Sequence, residues 1–77
     1  MKSLEAFIVL FAEQFDETDV SEITANKNFR DLEEWSSLIG LSVIAMIDEE
    51  FDVTLRGDDM RKAETPAELY EIIKSKK

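Results

Sequence analysis

The chain has 77 residues with no cysteine and no histidine, and its 18 acids against 9 bases give a formal charge of −9. This excludes disulfides, thiolate metal sites and a cysteine nucleophile, and it removes the commonest general base. So acidic a surface repels nucleic acid and anionic membranes, so neither is an expected partner.

No apolar run approaches the roughly 20 residues of a membrane span, and the acid at Glu5 interrupts the N-terminus too early for a secretory signal. The expectation is one soluble, monomeric, cytoplasmic domain over residues 1–77, near the lower size limit for an unstapled core. Leu4, Phe7, Ile8, Phe11 and Phe15 recur on one face of an amphipathic helix, predicted over about residues 3–15. From Asp16 to Glu34 no period is sustained. Asp19, Ser21, Asn26 and Asn28 are turn formers, and Val20, Ile23, Phe29 and Leu32 are scattered apolar anchors, so a long structured loop is expected.

Trp35, the lone tryptophan, follows that loop and has two readings. It is either a staple covering the core at a helix entrance, or a partly exposed aromatic flanking a group held at Ser37. Ser36 and Ser37 then stand at the mouth of the most apolar segment of the chain. A serine in the first turn of a helix lies among N–H groups without intrahelical partners, beside the positive end of the dipole. That environment suits a covalently attached phosphate, and it equally suits a plain helix cap.

Leu38, Ile39, Leu41, Val43, Ile44, Ala45, Met46, Ile47 and Phe51 spread around most of a helix circumference. The run is too long for a typical strand, and Asp48-Glu49-Glu50 closes it in helical phase. A helix this apolar in a small protein is central or offers a second face to something else. Beyond it, Asp52 to Gly57 breaks the pattern with Val53 and Leu55 facing inward, and Asp58 is placed to cap a short helix through about Lys62. Thr65-Pro66-Ala67-Glu68 reads as a capping box, with Thr65 at N-cap, Pro66 at N1 and Glu68 reaching back. Leu69, Ile72 and Ile73 form the stripe of a last helix, whose C-terminal end Lys74, Lys76 and Lys77 complement. The fold class is therefore all-α: a small four-helix bundle with three major helices, one short helix and a long structured loop after helix 1.

Candidate chemistry is sparse. Catalysis by Ser36 or Ser37 would need an activating base and an oxyanion site, and the G-x-S-x-G elbow is absent. The acids at Asp48-Glu49-Glu50, Asp52 and Asp58-Asp59 lack the spacing of a calcium loop, so no metal is expected. Arg56-Gly57-Asp58 matches an adhesion tripeptide but reads as a turn.

Taken together, Ile23-Thr24-Ala25-Asn26, Phe29, Ser37-Leu38, Asp48-Glu49-Glu50-Phe51 and Leu69-Tyr70-Glu71-Ile72-Ile73 resemble the acyl carrier protein family, with the small stand-alone bacterial form the best match. The family's Asp-Ser-Leu motif reads Ser36-Ser37-Leu38 here. The resemblance implies that Ser37 carries 4′-phosphopantetheine, moved from coenzyme A by a separate phosphopantetheinyl transferase, with Trp35, Ser36 and Leu38 flanking it. The arm's thiol would supply the nucleophile that the chain lacks, and acyl groups would ride as thioesters, sequestered in the apolar interior around helices 1, 2 and 4. It also implies partner enzymes that load and process acyl groups through basic or mixed apolar docking patches, reading a surface at Ile39, Ser42, Asp48 and Glu49. Ile39 and Ser42 stand where fatty-acid carriers commonly show acids, which predicts a more apolar partner face. The implied role is a carrier rather than an enzyme, in a specialised bacterial acyl or lipid/polyketide-type pathway. The alternatives are an unmodified carrier-like adaptor that binds proteins only, and an aminoacyl or peptidyl carrier, whose usual glycine-rich approach to the serine is absent.

Overall fold

A computed structural model describes all residues 1–77. It is all-helical: α1 (Leu4–Ala12), α2 (Ser37–Phe51), α3 (Gly57–Lys62) and α4 (Pro66–Lys76), with two short 3₁₀ turns in the long loop after α1. α1 packs on α4 and α2, and α3 packs on α4. No helix is long and apolar enough to cross a membrane.

The inward residues follow helical phase. Phe7 and Phe11 of α1, Val43 and Ile47 of α2, and Leu69 and Ile73 of α4 are fully buried. Each such side chain contributes about 1.5–3 kcal/mol on leaving water. Val53 and Leu55 of the α2–α3 connection join them, as their alternation predicts. No buried side-chain polar atom lacks a hydrogen-bond partner.

α1 stops at Ala12 rather than near Phe15 because its end tightens. Gln14 N–H donates to the Phe11 carbonyl (3.1 Å) and Phe15 N–H to that of Ala12 (3.0 Å), which turns the Phe15 ring inward. The loop beyond is anchored by Ile23, Phe29 and Leu32, all buried. Val20 is not an anchor, being 56% exposed. It opens a 3₁₀ turn capped by the Asp19 side chain, and that turn directs Ile23 inward instead.

Polar ties close the loop on both sides. Phe29 N–H donates to the Glu64 carbonyl and Ala67 N–H to that of Ala25, which joins it to the α3–α4 junction. The Glu34 carboxylate accepts from the N–H groups of Asp16, Glu17 and Thr18 and from the Thr18 hydroxyl. These bonds hold the Glu34 carboxyl below its ordinary value of 4.5, the Thr18 hydroxyl contributing most, against an opposing effect of desolvation.

Two capping expectations need correction. Asp58 lies inside α3 and pairs with Arg61, while Asp59 reaches back to the Arg56 N–H (3.0 Å). That bond is the main reason the Asp59 carboxyl is held below its ordinary value. The adhesion-like tripeptide is thus the start of α3 rather than a free turn. At α4, Thr65 Oγ1 accepts from Glu68 N–H as expected, but the Glu68 carboxylate reaches one residue further, to the Glu64 N–H (2.7 Å).

α2 ends on Asp52, the one non-glycine residue with positive φ (57°). Left-handed backbone is tolerated by aspartate and costs most other residues about 1–2 kcal/mol. Asp52→Gly is therefore expected to keep or raise the urea midpoint, and Asp52→Val to lose at least about 1 kcal/mol; a harmless valine would contradict the assigned cap.

The Glu34 clasp carries a pH signature. A carboxyl held low in the folded state stabilises fully above its unfolded value, and that contribution is lost as pH falls through the folded value. The stability gap between the wild type and Glu34→Gln should be widest above pH 4.5 and shrink below it. Urea melts across the acid range check this, and a pH-independent gap would speak against the clasp.

Candidate functional site

The two adjacent serines at the start of α2 have different jobs. Ser36 is extended (φ −155°, ψ 172°) and is the N-cap, its Oγ accepting from the Ile39 N–H at 3.3 Å. Ser37 is the first helical residue and exposed, and its hydroxyl has no protein partner. Gly40 N–H donates to the Ser36 carbonyl, closing the first turn. The N–H groups of Ser37 and Leu38 are left without protein acceptors at the positive end of a 15-residue helix.

A groove of about 290 Å³ opens beside Ser37 between α2, α3 and the end of the long loop. Trp35, Gly40, Leu41, Ile44 and Met60 give it an apolar lining, Ser36 and Ser37 its rim, and Arg30 its one charged wall. No carboxylate lines it. The larger concavity, about 440 Å³, contrasts sharply: Glu17, Glu22, Asp31, Glu33 and Glu34 line it around Lys27.

Trp35 both covers the core and stays partly exposed. Its ring packs on Phe29 (centroids 4.6 Å) and Phe15 (6.3 Å), covering the core, and it remains half-buried where it walls the groove. Gly40 lies directly against it: a Cβ there would stand 3.6 Å from the indole Cζ2, an ordinary contact, so alanine fits.

The sequence-derived partner residues separate in space. Ser42, Asp48 and Glu49 are exposed on α2, whereas Ile39 is half-buried against the core. The large apolar side chains that α2 exposes are Leu38 (76%) and Leu41 (62%). With Ser42, Ala45, Asp48 and Glu49 they form one outward stripe, apolar beside Ser37 and acidic toward the far end. Leu41 was findable, since it sits three residues after Leu38 and off the buried phase of Val43 and Ile47. Arg30 and Glu34 carry no local signal in sequence, because their partners are distant in the chain.

The interior among α1, α2 and α4, expected to sequester cargo, is occupied by Phe7, Phe11, Ile47, Phe51, Leu69 and Ile73. The concavity nearest Ser37 lies instead toward α3, because α3 buries only Met60 and leaves that side thinly covered.

A family model described as "Phosphopantetheine attachment site" matches residues 5–73. A protein of Exiguobacterium sp. named "Acyl carrier protein" is 34% identical over 58 residues, covering 75% of this chain and 73% of that relative. No solved structure matches the chain at a significant level. The fold, the match along most of its length and the relative agree: the chain belongs to the acyl carrier protein family, carriers with covalently attached 4′-phosphopantetheine rather than enzymes.

Proposed function

We propose that residues 1–77 act as one carrier domain, that Ser37 bears the phosphopantetheine arm, and that the protein serves a specialised bacterial acyl or lipid/polyketide-type pathway. The observation that carries the choice of serine is the cap. Ser36 Oγ is engaged by the Ile39 N–H, while the Ser37 hydroxyl is exposed and unpartnered.

The residues present fit such an arm. The free N–H groups of Ser37 and Leu38 suit its phosphate, and the carboxylate-free groove along Trp35, Gly40, Leu41, Ile44 and Met60 suits an apolar continuation. When attached, the arm supplies the terminal thiol that this cysteine-free chain lacks, on which acyl groups are held as thioesters. Ser37 contributes only its hydroxyl oxygen to loading. No carboxylate lines the groove beside that hydroxyl, so in this reading the base that takes the proton belongs to the transferase.

The outward stripe of α2 indicates the kind of partner such a carrier would meet. Leu38 and Leu41 beside the serine, with Asp48 and Glu49 beyond, match partners that offer an apolar patch followed by a basic one. In this reading the transferase and the acyl-loading and processing enzymes meet a cytoplasmic, monomeric carrier on this face.

Incubation with coenzyme A and a broad-specificity phosphopantetheinyl transferase, followed by intact mass, tests the assignment. One phosphopantetheine increment is expected in the wild type and Ser36→Ala, and none in Ser37→Ala. Loss of the increment only in Ser36→Ala would shift the site by one residue. No increment with any transferase would favour the unmodified adaptor.

A further inference from the structure

Arg30 lies in the long loop, seven residues before Ser37, and its guanidinium is held in place from two sides. Nη2 donates to the carbonyls of Met60 (2.7 Å) and Ala63 (3.1 Å) at the end of α3, and Cζ stands 5.6 Å above the Phe29 ring. Those contacts use one of its three nitrogens. Nε–H and the Nη1 hydrogens have no protein acceptor, and Arg30 takes part in none of the ion pairs.

This fixed cation lines the same groove as Ser36 and Ser37, with no other charged residue on the lining. The placement matters because the chain already stands at −9, and a phosphodiester adds a further negative charge to a self-repelling surface. A guanidinium that is already held in place and keeps free N–H donors is suited to a phosphate oxygen, more so than an ammonium on a flexible stem.

We propose that Arg30 is the phosphate-binding cation of this carrier: with the arm on Ser37, its guanidinium holds the phosphodiester at the start of α2 through its charge and one of its free N–H donors, Nε or Nη1. The proposal rests on the Ser37 assignment and adds a residue to it. Arg30 also remains a strut for α3, so its removal weakens the unmodified protein as well. What distinguishes the binding role is the difference between modified and unmodified forms.

The chain has only three arginines, Arg30, Arg56 and Arg61, so their Nε–H resonances can be assigned and followed by ¹⁵N–¹H NMR. Spectra are recorded at low salt before and after loading, with intact and fragment mass locating the arm. The Arg30 signal should shift and its exchange with water should slow severalfold on loading, while those of Arg56 and Arg61 stay in place. In parallel, Arg30→Gln should lower the melting temperature more in the loaded than in the unloaded protein. Arg30→Lys should restore part of that difference, and added salt should shrink it.

An unmoved Arg30 signal in a protein loaded on Ser37, or equal losses in the two forms, would overturn the binding role and leave the Ser37 assignment standing. Absence of the arm from Ser37 would bring down both. If Arg30→Gln does not fold, the wild-type spectra decide alone.

Discussion

The site depends on a single aromatic network. All seven aromatic side chains of the chain are connected through ring contacts. Tyr70 of α4 and Phe51 of α2 meet Phe7, Phe7 meets Phe11, and Phe11 meets Phe15 and Phe29, both of which hold Trp35. Such pairs contribute about 0.5–1.5 kcal/mol each beyond the area they bury. Trp35 immediately precedes the two serines, so the approach to α2 is positioned by the core of the molecule rather than by the loop. A domain this small has little stability to spare. Placing the site at the end of its best-packed cluster keeps it ordered without additional elements.

Charge is segregated as clearly as burial. Carboxylates gather along the long loop and the far end of α2, and the groove beside Ser37 has none. With the arm on Ser37 as proposed, the acidic surface attracts basic partners at long range without placing negative charge beside the anionic arm. Leu38 and Leu41 sit between the two regions. In the proposed function they supply the short-range, apolar part of an encounter whose direction the acids set.

Much of this was legible in the sequence. Period and capping chemistry located all four helices to within a few residues, because Phe7, Phe11, Val43, Ile47, Leu69 and Ile73 keep helical phase and Thr65-Pro66 marks a start without ambiguity. The apolar excess of α2 was visible too, and the structure assigns it: Ile39 turns partly inward while Leu38 and Leu41 face water. What escaped was everything set by tertiary contact. Val20 looks like an anchor until the Asp19 cap rotates it outward. The Glu34 clasp spans 16 to 18 residues, and the Arg30 bonds to α3 span 30 and 33, so no local pattern announces them. The division between Ser36 and Ser37 is intermediate. Either residue type suits a cap, and only the backbone geometry says which one is used.

The assignment of the arm depends on that division, and the unmodified protein tests it most directly. Urea unfolding of Ser36→Ala and Ser37→Ala, each compared with the wild type before any loading, reads the cap itself. Loss of a serine N-cap costs about 1 kcal/mol, whereas alanine at the first helical position is nearly neutral given its helix propensity. Ser36→Ala is expected to be destabilised by about that amount and Ser37→Ala by almost nothing. Equal losses, or a larger loss for Ser37→Ala, would contradict that division.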